Sequence, residues 1–228
     1  NQRDIDENSM LMRYFYALTG KDLDIYGSNE FNQPQDDGLL FFNTIGKNYQ
    51  LAPGDIIQIT ITGLSPSNEN YQVMNDGTIT LENVYPLNVN NLNLNQVSKL
   101  VLDKISLDDA SAEVFVRLNN ARLVTVQISG NVRSPRTIAV PAYTPLSRVI
   151  AYSGGISDSG SLRNISLSQI GETTQTVDFY DFLQNPSPKN DPLIKNGARM
   201  FVPFKGSTVA ITGFVNNPGI YELPNDKS

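Results

Sequence analysis

The sequence contains no cysteine, no histidine and no tryptophan. Without cysteine there is no disulfide, no thiol nucleophile and no thiolate metal site. Without histidine the commonest general base and the commonest transition-metal ligand are both missing. Charge is also sparse: 18% of residues are charged, leaner than an average soluble domain. The balance is acidic, with 17 Lys and Arg against 23 Asp and Glu, a net charge of −6 and a pI of about 4.6. A nucleic-acid binder would show a basic face, and an anionic membrane surface would repel this chain. No run approaches the roughly 18 apolar residues of a membrane helix. No Gly-x-Ser-x-Gly, Ser-x-x-Lys, Walker loop or dinucleotide fingerprint occurs. The spacing of Asp and Glu singles out no glycosidase pair. No catalytic, cofactor-binding or metal-binding residue is therefore expected, and no cofactor. An enzyme acting on glycans would need a cleft with two converging carboxylates.

What the sequence has is length and repetition. Its 228 residues, 39% hydrophobic, suffice for one large or two modest domains. Val126-Gln127-Ile128-Ser129-Gly130-Asn131-Val132 is followed by Pro135 and Pro141. Val209-Ala210-Ile211-Thr212-Gly213-Phe214-Val215 is followed by Pro218 and Pro224, each match 83 positions on. Alternating apolar residues, a Gly and a Pro-containing turn describe a β-hairpin. Met10, Leu11, Tyr14, Phe15 and Leu18 lie at helical spacing, with Gly20 as a stop. This predicts a short helix in an N-terminal appendage, residues 1–47, packed on the following domain or on a neighbouring subunit. Leu39–Phe42 reads as a short strand. No signal peptide is legible, and Asn1 is expected to begin a mature or trimmed chain.

Residues 48–121 read as a compact α+β unit. Ile57, Ile59 and Ile61 alternate with polar residues as a half-buried strand, and Val114, Val116 and Leu118 as another. Asn75-Asp76-Gly77 predicts a primed hairpin turn, with positive φ at these positions, between Tyr71–Met74 and Thr78–Leu81. Leu94, Val97, Leu100, Val101 and Ile105 make a helical face capped by Asn93. Residues 122–206 run strand (Val124, Val126, Ile128), Ser134-Pro135-Arg136 turn, strand (Thr137–Val140) and short helix, then strands at Ile165 and Leu167 and at Arg199–Val202. Thr144 and Pro145 are expected as N-cap and first helical residue, and Gly154-Gly155 as the helix stop. Strand, strand, helix, strand, strand is the order of a β-grasp. Residues 207–228 hold the opening hairpin of a second such module.

Several motifs carry a bland reading. Pro53-Gly54-Asp55 predicts a fixed turn with Asp55 bonding backbone amides. Asp36-Asp37-Gly38 lacks the alternating acidic ligands and terminal Glu of a calcium loop. Asn164-Ile165-Ser166 is a sequon by pattern only. Among ten Tyr and ten Phe, Tyr143, Tyr152, Phe179 and Tyr180 are hardest to assign to a core face.

Tyr49-Gln50-Leu51-Ala52-Pro53-Gly54-Asp55 before an alternating strand resembles the opening signature of bacterial outer-membrane polysaccharide export proteins. The segment around Asn75-Asp76-Gly77-Thr78-Ile79 resembles that family's second landmark. Val126–Pro141 and Leu146–Gly155 resemble the soluble-ligand-binding β-grasp (SLBB) domain that accompanies it. The signature positions are Pro53, Gly54, Asp55, Asp76, Gly77, Gly130, Pro135, Gly154, Gly155, Gly213 and Pro218. The resemblance implies an α+β architecture: a polysaccharide export domain of mixed strands and a helix (48–121), an SLBB β-grasp domain (122–206) and the start of a second repeat (207–228). It implies a periplasmic lipoprotein, attached to the outer membrane of a Gram-negative bacterium, that forms a homo-oligomeric ring and exports capsular or extracellular polysaccharide without chemistry. Implied partners are the polysaccharide, an inner-membrane polysaccharide co-polymerase and the outer membrane, reached through segments outside this sequence; no nucleic acid is implied. The lipidated Cys and the C-terminal amphipathic helix of familiar members have no counterpart in these 228 residues. The alternative is a periplasmic carbohydrate-binding or adaptor module coupling the export machinery.

Overall fold

The structure, a computed structural model, describes residues 7–20, 22–31, 49–82, 84–187 and 189–224. The segments Asp36-Asp37-Gly38 and Leu39–Phe42 lie outside the described residues. The chain divides into two compact units, one of residues 37–123 and one of residues 1–36 with 124–228.

Helix α1 (Glu7–Thr19) stops at Gly20, whose N–H donates to Tyr16 O at 2.8 Å. Along its apolar stripe Met10, Tyr14 and Leu18 are exposed, and Leu11 and Phe15 half-buried. A single 3-10 turn, Ser28–Phe31, then buries Phe31 in the core of the second unit.

In the unit of residues 37–123, β1 (Ile56–Thr62), β2 (Ser67–Gln72) and β5 (Glu113–Asn120) form an antiparallel sheet in the order β2-β1-β5. Period-2 alternation puts Ile57 and Ile59 on one fully buried face. Helix α2 (Leu94–Ile105) covers that face with Val97 and Val101. Its Asn93 and Gln96 exchange side chain-to-backbone bonds as a capping box, at 2.9 and 2.8 Å, a device worth about 1 kcal/mol. Ser98 Oγ donates to Val114 O at 2.6 Å and ties helix to strand. On the opposite sheet face Phe115 and Arg117 are exposed, and Gln58 and Thr60 half-buried.

The turn at Asn75-Asp76-Gly77 corrects the expectation. The segment before it, β2, pairs with β1, whereas β3 (Thr78–Ile79) pairs with β4 (Leu87–Asn88). Across the turn Met74 N–H donates to Thr78 O at 2.8 Å and Gly77 N–H to Met74 O at 2.9 Å. Of the three residues only Gly77 has positive φ, +81°. A turn with a left-handed residue only at Gly77 stands in place of the primed turn, and Asp76 Oδ1 accepts from Thr78 N–H and Oγ1 at 3.0 and 2.7 Å.

In the second unit, β6 (Leu123–Gly130), β7 (Arg136–Pro141), β8 (Ile165–Ser168), β9 (Gln175–Val177) and β10 (Ala198–Val202) form one sheet in the order β7-β6-β10-β8-β9. β10 runs parallel to β6 and antiparallel to β8. Helix α3 (Leu146–Tyr152) packs Leu146, Val149 and Ile150 onto Val126, Ile128 and Met200. The helix starts one residue later than expected: Pro145 is the N-cap, and Thr144 Oγ1 donates to Pro141 O at 2.6 Å. Asp191 closes the first turn instead, accepting from Ser147 N–H and Oγ at 2.9 and 2.6 Å. Strand β9 and helix α4 (Phe179–Gln184) are additions to the sequence-based element order. Phe179 and Tyr180 are core residues, while Tyr143 and Tyr152 pack at its edge.

The strands β11 (Thr208–Ile211) and β12 (Gly219–Glu222) form their own two-stranded sheet. Val209 and Ile211 are each 39% exposed, while Val126 and Ile128, 83 positions earlier, are buried. The hairpin packs through its other face, on Ile220 and Glu222. Ile220 also exchanges backbone bonds with Asp24 and Tyr26 at 2.9 and 3.0 Å.

Candidate functional site

Most of the signature residues fall into three local groups, two in the unit of residues 37–123 and one in the other unit. In the first, Gly54 adopts φ +96° and donates to Val73 O at 2.9 Å. This turn delivers Asp55 into full burial. Its carboxylate accepts from the Ala52 N–H at 2.8 Å, the Arg122 N–H at 2.7 Å, Arg122 Nη1 at 2.9 Å and Tyr49 Oη at 2.5 Å. The guanidinium carbon lies 5.8 Å from the Tyr49 ring centroid. Four donors occupy the two oxygens, so Asp55 fastens the chain entering β1 to the chain leaving β5 and has no lone pair left for chemistry. The backbone bond matches the local pattern, but Arg122 stands 67 residues away and gives no local signal.

The second group is the Asp76–Gly77 turn. A Cβ on Gly77 would come within 2.6 Å of Asn90 Cβ, so the turn has no room for another residue. Hydrogen bonds from Thr78 hold the Asp76 carboxyl below its usual range.

The third group surrounds the C-terminal end of α3. The turn containing Pro135 lies against Gly154-Gly155: Arg133 N–H donates to Gly155 O at 3.1 Å and Ser134 N–H to Ser153 O at 3.0 Å. Arg136 Nη2 donates to Tyr152 O at 2.5 Å, a cation at a helix C-terminus. Gly130 ends β6 at φ +84°, where a Cβ would meet Val202 O at 2.1 Å. Gly213 and Pro218 stand in the exposed loop between β11 and β12.

A further buried cluster was not legible in the sequence. Glu222, nearly fully buried, accepts from Ser161 Oγ at 2.7 Å and from the Leu162 and Gly206 N–H groups at 3.1 and 3.0 Å. Its own N–H donates to Tyr180 Oη at 2.8 Å, and its carbonyl accepts from Arg163 Nε at 2.7 Å. Arg163 also lies 3.8 Å over the Tyr180 ring and pairs with Asp178 at 3.0 Å. Burial pushes the Tyr180 hydroxyl and the Asp178 carboxyl up. Tyr26 stacks on Tyr221 at 4.5 Å. Every polar group of the clasp is satisfied, which marks it as a fastening.

No group of three or more His, Cys, Asp or Glu side chains is placed to hold a metal among the described residues. No helix among them is long and apolar enough to cross a membrane. The pocket lined by Ile25, Phe31, Ile156 and Leu162 encloses ≈ 10 Å³, room for about one water.

Comparison with known proteins gives a consistent picture. Residues 43–119 match the model of the polysaccharide biosynthesis/export protein family, and residues 125–178 match the SLBB domain. Two Escherichia coli proteins named polysialic acid transport protein KpsD are 30% and 29% identical over 165 residues, which is 71% of this chain. The chain spans 29% of the length of each of these relatives.

Proposed function

Because the chain belongs to the polysaccharide export family, we propose that it is the periplasmic part of an outer-membrane translocon that passes surface polysaccharide through an oligomeric ring. Residues 48–121 act as the export domain, 122–206 as a first SLBB module, and 207–228 open a second. The observation that supports this reading is the β11–β12 hairpin, whose sequence repeats that of residues 126–141 and which leaves Val209 and Ile211 each 39% exposed. Tandem modules with repeated side surfaces suit heterologous contacts, which close into a ring when the rotation permits. The kinship with polysialic acid transport proteins favours an acidic, capsule-type polymer as cargo. A net charge of −6 then limits sticking to the wall. With no nucleotide-binding motif in the sequence, an inner-membrane co-polymerase supplies the drive. The protein acts by guidance, as a lipid-attached conduit and not as an enzyme.

Deletion of the gene tests this. The account expects surface polysaccharide to vanish while polymer accumulates inside the cell envelope. Normal surface polymer in the deletion strain contradicts it.

A further inference from the structure

The two units share a surface feature. In the export unit, the open face of the sheet carries Phe115 and Arg117 two residues apart on β5. Thr60 lies opposite Phe115, and Gln58 opposite Arg117. The next strand continues these rows with Asn68 and Asn70. In the other unit, the outward face of β10 carries Arg199 and Phe201, again two residues apart. Ser129 stands beside Phe201, and Gln127 beside Arg199. Two sheets of different topology thus display the same four functional groups in the same pairing: guanidinium beside carboxamide, phenyl ring beside hydroxyl.

The phenyl rings are 52% and 49% exposed. Among the described residues neither Arg117 nor Arg199 forms a salt bridge. No carboxylate stands in any of these four rows; on the export face the next pair along, Thr62 and Glu113, brings the first. Each half-exposed phenyl ring therefore presents apolar surface to solvent next to a guanidinium whose row holds no carboxylate.

We propose that each open face is a contact platform for an acidic polysaccharide strand, one on each unit. This rests on the conduit reading above and names the chain's own cargo-touching residues. The phenyl ring offers a flat apolar surface to the C–H face of a pyranose. The guanidinium forks onto a sugar carboxylate, and the carboxamides and hydroxyls exchange hydrogen bonds with sugar hydroxyls. Each platform holds one or two sugar units, so each contact is weak. That suits transport, where binding must favour entry without blocking exit. The acidic remainder of the chain keeps the polymer off the wall between contacts.

The test is a titration of the 228-residue protein with an oligogalacturonate, followed by amide NMR, with maltohexaose as the uncharged control. The platform account expects shifts confined to β1, β5, β6 and β10, with apparent Kd on the order of 1 mM. Phe115→Ala with Arg117→Gln removes the shifts on β1 and β5 only, and Phe201→Ala with Arg199→Gln those on β6 and β10 only. Maltohexaose binds about tenfold more weakly. Phe115 and Phe201 are about half buried, so their truncation costs some stability, and a thermal melt of each variant checks that it is folded at the titration temperature. Absence of shifts at about 10 mM oligosaccharide, or shifts that survive both double variants, overturns the proposal. Expressing the four-site variant in place of the native gene separates the two readings. Unchanged export overturns the platforms and leaves the conduit standing, whereas a deletion strain with normal surface polymer removes the conduit itself.

Discussion

Asp55 is the residue on which the export unit turns. Fully buried, it gathers Tyr49, the Ala52 amide and two donors of Arg122. Replacing it with Ala strands the Arg122 charge and three further donors. The expected cost is about 3 kcal/mol, read as a lowered urea midpoint with unchanged slope. Asp76→Ala, at a solvent-exposed turn, costs far less in the same measurement. Gly130 and Gly213 make a second contrast. Both have positive φ, but a Cβ on Gly130 meets Val202 O at 2.1 Å, whereas nothing lies within 4 Å of Gly213. Gly130→Ala is expected to cost about 3 kcal/mol and Gly213→Ala about 1 kcal/mol. Titration supplies a third test. Burial raises the Asp191 carboxyl, while the Ser111 hydroxyl and the Leu64 and Ser111 amides lower Asp109. The Asp109 contribution is complete above the usual carboxylate pKa and is lost as pH falls through its depressed folded value. Asp191 runs the other way: its folded state binds the proton more tightly, so its term favours the fold increasingly as pH falls through its raised value. Carboxyl carbon NMR is expected to place the two midpoints on opposite sides of the ordinary value.

At the scale of elements, the clasp around Glu222 decides how the β11–β12 hairpin is held. A lone two-stranded hairpin is marginal in water, and this one exposes Val209 and Ile211. Its order comes from Glu222, from Ile220 against residues 24–26, and from the Tyr26–Tyr221 stack. Glu222→Ala is expected to speed amide exchange at Ile220 and Tyr26 at least tenfold while β6 and β10 keep their protection. Uniform acceleration across the unit contradicts a local clasp. Elements with a strong local code were readable in the sequence. The Asn93 cap, the alternation of Ile57 and Ile59, and the paired glycines after α3 all fall where their patterns place them. Strand β9 shows too few apolar residues to alternate, and α4 is six residues long with its cap supplied by Asp178. The start of α3 shifted because a distant carboxylate, Asp191, supplied what Thr144 was expected to supply. Local patterns fail where the deciding partner is far away in sequence, as with Arg122 for Asp55 and Ser161 for Glu222.

At the scale of the whole molecule, family membership rests on ordered motifs and agrees with the matched domains. The shared display of Phe115 with Arg117 and of Phe201 with Arg199 was not readable beforehand, because it depends on strand register and not on spacing along the chain. The central claim is that copies of the intact gene product close into a ring around a path for polysaccharide. Electron microscopy of that product, extracted from outer membranes in mild detergent, tests it most directly. The account predicts closed rings with a single rotational symmetry and an open centre. Particles of monomer mass at membrane-like protein density contradict it.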